Sequence, residues 1–131
     1  MTNVNNSFQE RHSKEFIEMA SDDSYCERMP HSNGYGKNTG DCGDTVEIFL
    51  SVKDGLIRDA TFEIDGCVNT FVCANTVIQK IWGKPLDTAW EITPELVANY
   101  LKTLPAENFH CAELAVGALY LAATDYKKRG F

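Results

Sequence analysis

Residues 45–64 read Thr45-Val46-Glu47-Ile48-Phe49-Leu50-Ser51-Val52-Lys53-Asp54-Gly55-Leu56-Ile57-Arg58-Asp59-Ala60-Thr61-Phe62-Glu63-Ile64. In an extended chain Val46, Ile48, Leu50 and Val52 point one way, while Thr45, Glu47, Phe49 and Ser51 point the other. That period of two marks a strand with one buried face. Lys53-Asp54-Gly55 supplies a turn, because Asp-Gly tolerates the positive φ angles of a tight hairpin. Ala60, Phe62 and Ile64 then resume the alternation, and the stretch predicts an antiparallel hairpin. It closes at Asp65-Gly66-Cys67, so Cys67 lies just past the second strand.

Downstream the period changes to that of helices. Val72, Val77, Ile78 and Ile81 recur at helical spacing between Asn69 and Trp82, and Gly83 with Pro85 ends the run. A short helical piece is predicted over Leu86–Glu91. Thr93-Pro94 opens another helix, with Thr93 as N-cap and Pro94 at the first helical position. Its expected buried stripe is Leu96, Val97, Tyr100, Leu101 and Leu104. A last helix is predicted from Phe109 to about Lys128, and Trp82 and Trp90 are expected to pack on the sheet. Upstream, Ser7 and Glu10 form a capping box for one amphipathic helix to about Ala20, carrying Phe8, Phe16, Ile17 and Met19. His12 reads as a surface residue of that helix. Ser21 to Asp41, rich in Asp, Ser, Asn and Gly, reads as a long loop holding Cys26 and His31, neither expected to bind a ligand.

The fold expected is α+β: a small antiparallel sheet, the hairpin with room for a third strand, covered by helices on one face. Residues 1–131 read as one domain, with 1–40 as N-terminal helix and long loop. The charge of −7 argues against nucleic acid, which is bound through clustered Lys and Arg. Lys127-Lys128-Arg129, the basic cluster, suits the C-terminus of a helix. Neither an export signal nor a membrane span is legible, and a cytoplasmic protein is the expectation.

Five cysteines, an odd number, do not read as a disulfide framework. Three fall at element boundaries: Cys42 before the first strand of the hairpin, Cys67 after the second, and Cys111 in the first turn of the last helix. The hairpin alone makes Cys42 and Cys67 neighbours. The helix N-terminus is expected to lower the pKa of Cys111. Were that helix to bring its N-terminus to the open end of the hairpin, three thiolates would meet Asp44 and His110. Three sulfurs and one harder donor suit zinc or an iron–sulfur cluster.

Gly40-Asp41-Cys42-Gly43-Asp44, Asp65-Gly66-Cys67 and His110-Cys111, followed by Ala112-Glu113-Leu114-Ala115 and later Asp125-Tyr126-Lys127, resemble the NifU/IscU iron–sulfur scaffold family. The resemblance runs from Asp41 to about Lys128. It implies Cys42, Cys67 and Cys111 as ligands of a labile [2Fe–2S] cluster, with Asp44 or His110 in the fourth place. It also implies a pyridoxal-phosphate cysteine desulfurase as sulfur donor and apo-proteins as acceptors, and it leaves open a homodimer around the cluster. A non-thiolate fourth ligand gives a cluster one weak corner by which to leave.

The chain departs from the family at two places. Cys73 stands where a serine is common, and reads as a buried structural thiol. Leu104-Pro105-Ala106-Glu107-Asn108 replaces the Leu-Pro-Pro-x-Lys motif of the family, so recognition by its specialised Hsp70 chaperone is not carried over. The alternative is a zinc-bound sulfur acceptor that stimulates a desulfurase, although its inserted segment between the second and third cysteines is lacking here. A cysteine hydrolase built on Cys111 would leave Cys42, Cys67 and Asp44 without a task.

Overall fold

The computed structural model describes residues 8–130. Three strands, β1 (Gly34–Thr39), β2 (Thr45–Lys53) and β3 (Leu56–Asp65), form an antiparallel meander in the order β1-β2-β3. Helical residues 8–11 and four longer α-helices accompany it among the described residues: α1 (Lys14–Ser21), α2 (Val68–Ile81), α3 (Pro94–Leu101) and α4 (Phe109–Arg129). Short 3-10 turns lie at Leu86–Glu91 and Ala106–Asn108. The α+β reading is borne out.

The predicted hairpin is β2–β3. Asp54 and Gly55 both adopt positive φ, 56° and 76°, as a two-residue turn of this hand demands. Val46, Ile48, Leu50 and Val52 are buried as the alternation requires, and Phe49 on the opposite side is buried too. Ahead of the hairpin, the expected long loop contains β1, the third strand. Gly34, Gly36 and Asn38 pair with Leu50, Ile48 and Val46 and so share their face. On that face α4 lies almost in contact with the backbone: a Cβ on Gly36 would sit 2.3 Å from the Ala118 carbonyl oxygen. Glycine is what permits the approach, and it also hides the strand from a hydrophobic-alternation reading. Asn33 sets the start of β1, its amide exchanging hydrogen bonds with the Val52 carbonyl (2.8 Å) and N–H (2.9 Å).

Four further expectations are corrected. The first helical stretch breaks at His12, and Ser13 caps α1 by accepting from the Phe16 N–H; the proposed Ser7 cap lies outside the described residues. His12 is no simple surface residue: it stacks on Phe16 at 3.8 Å, and its Nδ1 meets Thr103 Oγ1 at 3.0 Å. Leu96 is exposed, so the buried stripe of α3 rests on Val97 and Leu101. Trp82 and Trp90 are also exposed. Trp82 donates to Asp59 from the sheet edge, while Trp90 lies against Tyr120 and Lys127.

Asn75, fully buried in α2, secures the N-terminal segment by donating to the carbonyls of Met19 (3.0 Å) and Asp22 (2.7 Å). Asp125 of α4 accepts from the Tyr35 N–H at the open edge of β1. No described helix is long and apolar enough to cross a membrane.

Candidate metal centre

The site lies where three chain segments end together. The first is the five-residue turn joining β1 to β2. Its Gly43 N–H donates to Gly40, the Gly40 N–H donates to Asp44, and Gly43 takes the positive φ of 92° that the reversal needs. Cys42 is exposed within this turn and Asp44 adjoins β2. The second segment is the end of β3, where Cys67 serves as the N-cap of α2. The third is the first turn of α4, with His110 exposed and Cys111 buried. Since Thr45 pairs with Asp65, Cys42 and Cys67 leave the sheet at the same end.

One ligand atom each from Asp44, Cys67 and Cys111 all lie within 4.8 Å of one another. Donors around a single tetrahedral zinc are roughly 3.5 Å apart, so small side-chain movements would close this set on an ion. Cys42 stands outside the tight set. It is joined through His110, whose Nε2 lies 3.9 Å from Cys42 Sγ and 3.7 Å from Cys111 Sγ. Nδ1 of the same ring is 3.1 Å from the Glu107 carbonyl, which can only accept. In the neutral ring Nδ1 therefore holds the proton, and the Nε2 lone pair faces the two sulfurs. All five predicted site residues thus meet at one end of the sheet, Cys42 by way of His110.

The thiols differ, and the expectation for Cys111 is reversed. Burial pushes its pKa up and outweighs the hydrogen bonds from Thr70 (3.5 Å) and Asn108 (4.0 Å) that favour its thiolate. As the third residue of α4 it lies inside the helix, behind the N–H groups that would have served it. Cys67 takes that part. Burial alone would raise its pKa, but the N–H groups of Thr70 and Asn69, followed by the Thr70 hydroxyl, carry it below the ordinary thiol value. Cys73 is wholly buried and its pKa is strongly raised, first by burial and then by Cys111 and Cys67; this suits an inert structural thiol. Cys26 is half-buried at the outer edge of β3, bridged to Phe62, and its pKa is raised, first by burial. His31 is exposed.

Thr70 is not singled out by the sequence pattern, nor is the packing role of Gly66 within Asp65-Gly66-Cys67. Thr70 is fully buried, and its hydroxyl donates to Asp44 Oδ2 at 2.8 Å with Cys67 Sγ at 3.9 Å. Its signal was the spacing Cys67-x-x-Thr70, which turns the third helical residue back toward the N-cap. Gly66 makes room: a Cβ there would come within 2.9 Å of both Asp44 Oδ2 and Thr70 Oγ1. Two open clefts flank the site. One, of about 450 Å³, includes Asp41, Cys42, His110 and Glu113. The other, of about 270 Å³, is apolar and set by Ala20, Ile64, Cys67, Val68 and Phe71.

These features define a class: a small α+β domain that gathers thiols, a carboxylate and an imidazole at one end of its sheet. The chain belongs to the family of the NifU-like N terminal domain, whose model matches residues 25–131. It is 35% identical over 88 residues to the iron-sulfur cluster assembly scaffold protein IscU 1 of Archaeoglobus fulgidus, covering 67% of this chain but 58% of that protein. The match therefore spans less than two thirds of that relative. With the iron-sulfur cluster assembly scaffold protein IscU of Escherichia coli K12 it shares 36% identity over 89 residues, covering 67% of this chain and 69% of the other. A NifU-like protein (N-terminal) from Brucella abortus shares the fold at a TM-score of 0.75 and 13% identity, covering 90% of this chain and 95% of that one. The Fervidobacterium islandicum AW-1 protein FiSufU does so at 0.71 and 18%, covering 85% and 95%.

Proposed function

We propose that this domain is a carrier without turnover of its own, a scaffold on which a labile [2Fe–2S] cluster is assembled and from which it passes to apo-proteins. The observation that carries the reading is the convergence of Asp44, Cys67 and Cys111 within 4.8 Å, with Cys42 at hand through His110. The names of the similar Archaeoglobus and Escherichia proteins support it.

In this reading Cys42, Cys67 and Cys111 hold the cluster, and Asp44 or His110 takes the fourth place. The sulfur comes from a cysteine desulfurase, in the cytoplasm. Cys67 is the thiol best prepared to receive it, being exposed and ionised below the ordinary thiol range. Iron enters by the cleft that includes Asp41 and Glu113, whose negative charges attract a cation. A specialised Hsp70 chaperone is not part of the reading. The segment that would carry its motif serves the site instead, Glu107 orienting His110 and Asn108 facing Cys111.

The test is anaerobic reconstitution with iron(II), cysteine and a cysteine desulfurase, followed by visible absorption and by iron and sulfide analysis. Stoichiometric iron and sulfide, lost in Cys111→Ala and transferable to an apo-ferredoxin, is the expected result. A second reading, a zinc-bound sulfur acceptor, draws support from the tight set having the size of a one-ion site without Cys42. Tight zinc, no bound sulfide and a stimulated desulfurase would establish it in place of the first.

A further inference from the structure

The side chain of Asp44 makes a single hydrogen bond among the described residues, the one it accepts from Thr70 at 2.8 Å. Asp44 itself directly follows a turn bent through a left-handed glycine, Gly43. Thr70, in contrast, is rigid. It is fully buried in the first turn of α2, and a β-branched residue in a helix has few χ1 wells to choose from. A hydroxyl carries one proton, and of the acceptors around Thr70 it is Asp44 that lies at a normal O–H···O length, 2.8 Å. The sulfurs of Cys111 and Cys67, at 3.5 Å and 3.9 Å, lie around the same oxygen as longer, competing partners. Thr70 is therefore the common neighbour of all three members of the tight donor set.

We propose that Thr70 is a positioning residue for metal entry, its hydroxyl holding the Asp44 carboxylate beside Cys67 and Cys111 before any metal arrives. This rests on the reading that the site accepts a metal. The oxygen donor is then placed in advance, and an incoming ion need not order it. Groups that orient a ligand in this way carry much of a site's affinity, and losing one costs roughly 10- to 100-fold. Thr70→Val keeps the shape and the branching but removes the donor, while Thr70→Ser keeps the donor and removes the methyl.

The probe is cobalt(II) alone, titrated anaerobically into the reduced protein. Its sulfur charge-transfer bands report thiolate ligands, and its ligand-field bands report the geometry and the oxygen donor. Thr70→Val should weaken cobalt(II) binding roughly 10- to 100-fold and alter the ligand-field bands, with Thr70→Ser close to the unsubstituted chain. The effect should vanish in an Asp44→Ala background, because the two residues act as one unit. Unchanged affinity and spectrum in Thr70→Val would overturn the assignment, as would an equal loss in Thr70→Ser or in the Asp44→Ala background. Should Thr70→Val not fold, Thr70→Ala against Thr70→Ser puts the same question. A chain with native Thr70 that shows no sulfur-to-cobalt bands would sink the metal-site reading itself, a separate outcome from failure of the Thr70 role.

Discussion

His110 Nδ1 meets the Glu107 carbonyl oxygen at 3.1 Å, and this one contact turns the opposite nitrogen toward Cys42 and Cys111. The bond closes within the turn Ala106–Asn108 and the start of α4, so backbone rather than a mobile side chain orients the ring. An imidazole held in one tautomer with its lone pair toward two sulfurs is a ligand in waiting. Zinc bound to the protein should accordingly show an imidazole among its ligands by X-ray absorption, and His110→Ala should lose that signal. Losing a ligand should cost at least the roughly tenfold in affinity that losing an orienting partner does. Zinc held as tightly by His110→Ala, with an unaltered absorption spectrum, would remove His110 from the site.

Gly66 offers a way to move Asp44 without deleting it. A methyl group at that position meets the carboxylate and the Thr70 hydroxyl, each at 2.9 Å, and the side chain of Asp44 is the part free to give way. Gly66→Ala should fold, since the contact falls on a side-chain end rather than on backbone. The lost hydrogen bond to a charged group should cost about 1.5–3 kcal/mol at most, less where water reaches the displaced carboxylate. Zinc affinity measured against a chelator should fall together with the Asp44–Thr70 bond. Retention of full zinc affinity in Gly66→Ala would mean that the carboxylate is not a donor.

What the sequence made legible was set by how strongly each element depends on side-chain pattern. The β2–β3 hairpin is written in alternating Val, Ile and Leu with an Asp-Gly turn, and it reads directly. Strand β1 is written in glycine, because Gly34 and Gly36 lie beneath α4, and a helix so distant in sequence does not show in a local pattern. The site followed the same division. Cys42, Asp44, Cys67, His110 and Cys111 could be named from their places at element ends. The pKa order of Cys67 and Cys111 could not, because it depends on a one-residue matter: whether the thiol precedes its helix or lies within it.

Gly36 gives the stability test that follows from that packing. A Cβ there would approach the Ala118 carbonyl oxygen to 2.3 Å and the Ala122 nitrogen to 2.5 Å, both backbone atoms of α4. Neither can turn aside, so β1 or the helix must move. Overpacking of a tight interior costs about 1–3 kcal/mol, and Gly36→Ala should reach the upper end of that range because backbone yields least. The midpoint of urea unfolding should drop accordingly with an unchanged slope. An undisturbed midpoint would mean that β1 and α4 are farther apart than described.

Cys67 and Cys111 should separate by their reaction with iodoacetamide, read peptide by peptide in the metal-free protein. The thiolate is the reacting form, so a lowered pKa brings the reaction to lower pH and a raised one delays it. The N–H groups at the start of α2 lower Cys67, which is also exposed; burial raises Cys111 and shields it. At neutral pH Cys67 should label at least roughly tenfold faster, because Cys111 must also wait for local opening. As pH rises, the Cys67 rate should level off below the range of an ordinary thiol, while that of Cys111 continues to climb. The same difference bears on the order of events during sulfur delivery, since the thiol that ionises first is the one able to attack a persulfide. Equal rates, or a faster Cys111, would show that the helix N-terminus does not set the reactivity of Cys67 and would shift first receipt of sulfur to another cysteine.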